Sequence, residues 1–271
     1  MNLTDIEVSI LLEGIYLHYG YDFRNYSRPS IQRRIRHRMQ SERLQTVTQL
    51  LDRVLHDRAA MDRLLDDFSI NVTEMFRDPD FFLTFRRDVI PRLKSLPMIR
   101  IWHAGCSTGE EVYSMAIMLH EEGLYSRSML YATDMNESVL ENAAQGAFPL
   151  NKMKLYTKNY QQSGGEKSFS EYYTVSNNNV VFSPELSRNI AFLQHNLVTD
   201  HSFNDFNVII CRNVLIYFNS ELQQRVVHLF NESLVPGGFL GLGSKEGLPA
   251  SLKGSAFEEL DRAHRIYLKK G

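Results

Sequence analysis

Ile99-Arg100-Ile101-Trp102-His103-Ala104-Gly105-Cys106-Ser107-Thr108-Gly109-Glu110-Glu111-Val112-Tyr113-Ser114 is the stretch that decides the fold. An apolar strand runs through a glycine-punctuated turn directly into a helix. Backbone N–H groups at such a helix start usually receive a nucleotide-type cofactor. Here the helix opens on two carboxylates, Glu110 and Glu111, which would repel a pyrophosphate and welcome a cation. A carboxylate in a first helical turn also gains roughly 0.3–1 kcal/mol from the macrodipole. The pair therefore also reads as ordinary N-terminal helix acids.

S-adenosylmethionine suits this turn, because it carries adenosine without phosphate and presents an ammonium and a sulfonium to acids in the pocket. A second strand end, Met129-Leu130-Tyr131-Ala132-Thr133-Asp134, sets an acid where a doubly wound fold places its ribose-binding carboxylate. The interval from Gly105 to Asp134 exceeds the roughly 20 residues of the dinucleotide fingerprint, and the glycines are not spaced G-x-G-x-x-G. Both points weigh against a nicotinamide dinucleotide. Asp134 could also cap the helix expected over Asn136 to Gln145, a role compatible with ribose binding.

The 271 residues are 43% apolar, enough for a large buried core in one large or two modest domains. The 2 cysteines, Cys106 and Cys211, are too few for a disulfide framework and each ends an apolar strand, as reduced packing thiols do in a cytosolic protein. No zinc-ligand spacing is present. Met1 to Leu12 contains Asp5 and Glu7 without a basic leader, and no apolar run is long enough to span a bilayer, so the chain reads as cytoplasmic with no membrane insertion. The net charge is −2, yet between Arg24 and Arg43 there are seven arginines and one acid, Glu42. Basicity is concentrated in one segment.

Apolar residues recur every three or four positions over Thr4 to Tyr19, Pro29 to Glu42, Thr46 to His56 and Ala59 to Phe68, which predicts a helical domain over residues 1–70. A linker and a helix capped by Asp78, with Pro79 in its first turn and running to about Leu93, occupy 71–98. From 99 to 271 strands and helices alternate. Strands are expected at 100–105, 128–134, 190–194, 206–211, 238–243 and 263–269, and helices at 109–121, 136–145 and 219–234. Such alternation predicts an α/β fold with a mainly parallel sheet. Residues at about 150–187 interrupt it, with Glu171-Tyr172-Tyr173-Thr174-Val175, an Asn177-Asn178-Asn179 turn and Val180-Val181-Phe182 reading as a small antiparallel hairpin insert. A third strand, Phe206-Asn207-Val208-Ile209-Ile210-Cys211, delivers Arg212, Asn213 and then Tyr217 to the carboxyl edge, where open α/β folds do their chemistry. Tyr217 reads equally as a packing residue. The loop is not the Asn/Asp-Pro-Pro-Tyr of enzymes that methylate nitrogen.

Four ordered motifs resemble the chemotaxis receptor methyltransferase (CheR) family. They are Phe68-Ser69-Ile70-Asn71-Val72-Thr73-Glu74-Met75-Phe76-Arg77, the Ser107-Thr108-Gly109-Glu110-Glu111-x-Tyr113-Ser114 loop, Ala132-Thr133-Asp134, and Cys211-Arg212-Asn213-Val214-x-Ile216-Tyr217-Phe218. The resemblance spans nearly the whole chain and implies a class I methyltransferase-type, Rossmann-like sheet behind an all-helical N-terminal domain. It implies a pocket lined by Asn71, Thr73 and Arg77, with Gly105 in the turn. Glu111 would hold the methionine ammonium, Asp134 the ribose beside Met135, and Asn196 and Leu197 the adenine, with Cys211 and Arg212 adjacent. Arg77 and Tyr217 would stand beside the transferred methyl. The implied reaction moves that methyl to a glutamate carboxylate of a chemoreceptor, giving a methyl ester and S-adenosylhomocysteine with no metal.

In the same resemblance the basic helix faces the receptor, so Arg33, Arg34, Arg36 and Arg38 would dock the glutamate-rich cytoplasmic helices of a methyl-accepting protein. On charge alone that helix also reads as a solvated basic face. Phosphate of RNA or DNA is its other possible partner, disfavoured by the scarcity of interleaved aromatic residues. Members of the resembling family that tether to a receptor's C-terminal tail use this insert, and the turn at Asn177 to Asn179 is short beside theirs, so the resemblance implies no tail tethering. Two alternatives differ in class: a nucleic-acid methyltransferase using the arginine segment, and a sensor that binds S-adenosylmethionine without transferring the methyl.

Overall fold

The computed structural model describes residues 3–69 and 72–271; Asn71 of the expected pocket lies outside the described residues. The chain divides into two compact units, 1–70 with 215–226, and 71–214 with 227–271. Residues 215–226, which the sequence assigns to the catalytic domain, therefore group with the helical segment.

In the first unit, α1 (Leu3–Tyr19) buries Val8, Leu11, Leu12 and Ile15, one face at helical spacing. The helix α2 (Arg28–Ser41) starts at Pro29 in its first turn and buries only Ile31 and Ile35, one turn apart, which leaves the rest of its circumference to charge. Next, α3 (Val47–His56) opens with a capping box in which Thr46 accepts from the Gln49 N–H and the Gln49 side chain accepts from Thr46. Asp57 caps α4 (Arg58–Phe68), whose Phe68 meets Phe23 edge-on at 4.7 Å.

The second unit begins with α5 (Pro79–Asp88) and α6 (Ile90–Leu93). The expected single helix is interrupted near Val89, next to Pro91, which has no N–H to continue the ladder. Six strands follow the expected alternation: β1 (Ile99–Ala104), β2 (Ser128–Asp134), β6 (Ile190–Gln194), β7 (Phe206–Cys211), β8 (Leu234–Leu242) and β10 (Ile266–Lys269). A seventh, β9 (Phe257–Asp261), was not expected, because Phe257-Glu258-Glu259-Leu260-Asp261 is too acidic to read as a strand. The sheet runs β6-β2-β1-β7-β8-β10-β9, parallel through β8, with β10 antiparallel to both neighbours. This is the class I methyltransferase-type order. The helices α7 (Glu110–Glu121), α8 (Glu137–Ala144) and α11 (Ser220–Ser233) alternate with these strands.

Trp102 of the central strand is fully buried among Phe203, Phe206 and Phe230 and donates to Thr133 Oγ1 at 2.8 Å. Truncating such a side chain to Ala costs about 3–5 kcal/mol. The insert is a three-stranded antiparallel sheet, β3 (Ala147–Pro149), β5 (Asn179–Phe182) and β4 (Tyr173–Ser176), so the hairpin forms as expected. It also carries α9 (Met153–Gln162), absent from the sequence reading although Met153, Tyr156 and Tyr160 recur at helical spacing and are buried. Tyr160 and Tyr172 both donate to Glu121 Oε1, tying the insert to α7. A short α10 (Pro184–Ser187) leads into β6. No described helix is long and apolar enough to cross a membrane.

Candidate active site

The turn after β1 is built from three left-handed residues, Gly105 (φ 77°), Ser107 (φ 51°) and Gly109 (φ 93°). A Cβ on Gly105 would stand 2.6 Å from Val214 Cγ2, so the end of β7 closes over this position and glycine is required. The turn orients the Ser107 N–H, which donates to Asp134 Oδ2 at 3.0 Å, while the Asn136 N–H donates to Oδ1 at 3.1 Å. Asn136 itself caps α8 through the Ser138 N–H. Asp134 is thus released from capping and joins the two strand ends. Burial raises its pKa, and the backbone N–H bonds from Asn136, Ser107 and Met135 offset that only in part.

Glu110 and Glu111 are adjacent on α7, about 100° apart around the helix axis, and they part company. Glu110 is buried, accepts from Thr108 Oγ1 at 2.6 Å and Tyr156 at 3.2 Å, and has its pKa raised by that burial. Glu111 Oε1 lies 3.1 Å from His103 Nδ1, and Oε2 accepts from Arg212 Nη1 at 3.1 Å. Burial pushes the Glu111 carboxyl up, but the His103 hydrogen bond and the Arg212 charge outweigh it and hold the group below its usual value. Each oxygen keeps acceptor capacity after these bonds, since an ionised carboxylate offers about four lone-pair sites.

Arg212, at the end of β7, has a side chain only 2% exposed. It donates to Glu111, to Asp78 Oδ2 at 2.6 Å and to the Arg77 carbonyl at 3.1 Å, with its guanidinium carbon 4.2 Å from the Phe81 ring centroid. This corrects the expected cap. Asp78 sits at φ 55° with no side-chain bond to the α5 N-terminus, because its carboxylate is spent on Arg212. The neighbouring Phe76 (φ 50°) is pinned through its N–H to Ser114 Oγ at 2.8 Å, which fixes where Arg77 leaves the backbone. Arg77 Nη1 donates to the Val72 carbonyl at 2.9 Å, and Thr73 is half-buried.

Met135 is half-buried with its carbonyl accepting from Gln194 Nε2 at 3.1 Å, so it bridges the ends of β2 and β6. Asn196 orders its own loop, its N–H donating to Asp200 Oδ2 at 2.8 Å and its Oδ1 accepting from the Val198 N–H at 3.0 Å, with Leu197 half-buried between. Cys211 and Cys106 are buried free thiols whose pKa values burial drives up, so neither is a nucleophile near neutrality. Glu246 accepts from the Asn213 N–H at 3.0 Å and the Gly243 N–H at 2.6 Å, clamping the exits of β7 and β8. As site residues, sequence reasoning overlooked His103, Asp78, which it read only as a helix cap, and Glu246. The first two lie inside or next to the quoted motifs, whereas nothing local marks Glu246.

Tyr217 belongs to the first unit, where its carbonyl accepts from the Ser27 N–H at 2.7 Å and its ring centroid lies 5.8 Å from the Arg34 guanidinium carbon. The four docking arginines are not equivalent. Arg33 and Arg36 are exposed. Arg34 is half-buried and bonds the Asp67 carbonyl, with its pKa lowered by that burial. Arg38 points inward, donating to Asp67 Oδ2 at 2.6 Å and the Arg63 carbonyl at 2.8 Å and lying 3.6 Å from Glu42. Among the described residues no group of His, Cys, Asp and Glu could hold a metal.

Residues 71–264 match the model of the CheR methyltransferase S-adenosylmethionine-binding domain, and residues 6–69 match the CheR methyltransferase all-alpha domain. A Pseudomonas putida protein named as a methyltransferase, Cher3, is 50% identical over 98% of this chain and 97% of its own length. A chemotaxis protein methyltransferase of Listeria innocua is 30% identical over 87% of this chain and 90% of its own. An uncharacterized 104.1 kDa protein of Rhodobacter capsulatus is 30% identical over 95% of this chain, which spans 27% of that larger protein.

Proposed function

Because the chain belongs to the CheR methyltransferase family, we propose that it transfers the methyl of S-adenosylmethionine to glutamate side chains in the cytoplasmic helices of a methyl-accepting chemoreceptor, releasing S-adenosylhomocysteine. The observation that carries this reading is the pair of carboxylates on neighbouring elements. Glu111 is held ionised by His103 and Arg212, and Asp134 is oriented by two backbone N–H groups. Acidic acceptors with spare lone pairs suit an ammonium and a ribose diol, and they oppose a phosphate.

Glu111 binds the methionine ammonium, Asp134 accepts both ribose hydroxyls, and Met135, Asn196 and Leu197 border the adenine. Gly105 gives the turn its left-handed backbone, and Thr73 adds polar lining from the linker. Cys211 supplies packing. Arg212 acts through Glu111 and Asp78, which its two Nη groups already engage.

When bound, the sulfonium supplies an electrophilic methyl. A glutamate acceptor is already ionised at pH 7, so the protein needs no general base, and its task is alignment and exclusion of water. Arg77 grips the acceptor carboxylate and orients an oxygen. A tighter ion pair would blunt the nucleophile, so Arg77 serves positioning. On the basic helix, Arg33 and Arg36 present free charge to an acidic receptor helix, with Arg34 beside Tyr217. With Arg38 neutralised internally the basic face is narrower than the sequence suggests, which favours a protein helix over a nucleic-acid backbone. The β4–β5 turn is short, with Asn177 at φ 53° and Ser176 paired to Asn179. We infer recognition of the receptor's helices without its C-terminal tail, in the cytoplasm.

The test is incubation with methyl-labelled S-adenosylmethionine and membranes of the native organism, followed by mild alkali. Release of label as methanol marks a carboxyl ester. Alkali-stable label, or label in nucleic acid, would overturn the reading.

A further inference from the structure

We propose that His103 is a positioning residue for the amino-acid end of S-adenosylmethionine, acting by fixing the Glu111 carboxylate; this rests on the reading of Glu111 given above.

His103 lies on the central strand, paired with Ala132 of β2 and Ile210 of β7, and is fully buried. Its backbone is therefore held by hydrogen-bonded strands on both sides. Nδ1 is 3.1 Å from Glu111 Oε1. An ionised carboxylate has only acceptor sites, so Nδ1 carries the hydrogen and donates. The other oxygen of Glu111 is held by Arg212 Nη1 at 3.1 Å. Two donors from two strands, one per oxygen, leave the carboxylate little freedom to rotate. A ligand ammonium then meets an acceptor that is already oriented, which reduces the ordering cost of binding.

The second ring nitrogen points to the same conclusion. Nε2 is buried and, among the described residues, has no hydrogen-bond partner. An unsatisfied buried polar group costs about 1–3 kcal/mol. Leucine would fill the same apolar face, beside Ile101, without that cost. A histidine here is explained by what Nδ1 does for Glu111, not by packing.

Two ligands separate positioning from structure. S-adenosylhomocysteine carries the ammonium and carboxylate, whereas 5′-methylthioadenosine lacks the amino-acid end and shares the adenosine. In calorimetric titrations of the full chain, His103→Leu should weaken S-adenosylhomocysteine about ten-fold and leave methylthioadenosine within about two-fold. His103→Asn, whose amide can donate in place of Nδ1, should recover most of the loss. Unchanged S-adenosylhomocysteine affinity in His103→Leu, or equal losses for both ligands, would overturn the inference. Glu111→Gln separates it from its premise. If that variant keeps full S-adenosylhomocysteine affinity, the assignment of Glu111 fails and the inference with it. If Glu111→Gln loses affinity while His103→Leu does not, the inference alone fails.

Discussion

Glu111 and Arg212 stand 101 positions apart in the chain, yet their side chains meet in a 3.1 Å ion pair whose arginine is 2% exposed. The pair joins the start of α7 to the end of β7, the two places where cofactor chemistry is expected. Removing one member of a buried pair strands the other charge, at about 3–5 kcal/mol. Arg212→Met should therefore lower stability by about 3 kcal/mol in denaturant melts and weaken S-adenosylhomocysteine binding. A variant as stable as the parent would show the pair to be dispensable.

Asp134→Ala removes an acceptor proposed to take two ribose hydroxyls. S-adenosylhomocysteine affinity should fall by roughly 2–4 kcal/mol, on the scale of hydrogen bonds to a charged group. Unchanged calorimetric affinity would exclude Asp134 from the site.

Binding should also be acid-sensitive through this residue. Only the ionised carboxylate accepts from both hydroxyls, and burial raises the Asp134 pKa above its ordinary 3.8. Affinity is thus complete above the raised value and lost as pH falls through it, with a midpoint above that of a free aspartate. The ion-paired Glu111 is shifted the other way, which keeps it charged to lower pH than a free glutamate. A titration series in which Asp134→Ala and the parent lose affinity in parallel would contradict this.

Arg77→Ala should cut turnover at saturating cofactor by at least about ten-fold through lost alignment of the acceptor. Single-turnover rates with the native receptor measure this. Full retention of rate would remove Arg77 from the positioning role.

The α2 arginines divide into surface and structure. Arg33→Glu with Arg36→Glu should slow receptor methylation, increasingly so at low ionic strength, and leave S-adenosylhomocysteine affinity intact. Arg38→Glu should instead destabilise the helical unit by about 3 kcal/mol, because it sets a carboxylate against Asp67 and Glu42. Equal receptor methylation by the double variant would reduce the helix to a solvated face.

The strand-turn-helix at Gly105 and the acid ending β2 were legible because each is local: a glycine turn and an apolar run announce themselves over a few residues. The parallel sheet followed from alternation. What stayed hidden depended on distant partners. Asp78 before Pro79 carries every local mark of a cap, and only Arg212, 134 positions away, diverts it. Arg38 reads as one more surface charge until α4 brings Asp67 beneath it. Glu110 and Glu111 are indistinguishable in one dimension; a turn of about 100° on the helix sends one to Tyr156 and the other to His103. The strand β9 was missed because pairing with β10 overrides an acidic composition that disfavours strands on its own.

The most direct measurement is peptide mapping by mass spectrometry of the native receptor after incubation with the protein and S-adenosylmethionine. Added methyl groups should sit on glutamate side chains of the receptor's cytoplasmic helices and be absent when Asp134→Ala replaces the parent at limiting cofactor. Methylation confined to lysine, arginine or nucleic acid, or none despite cofactor binding, would contradict the account.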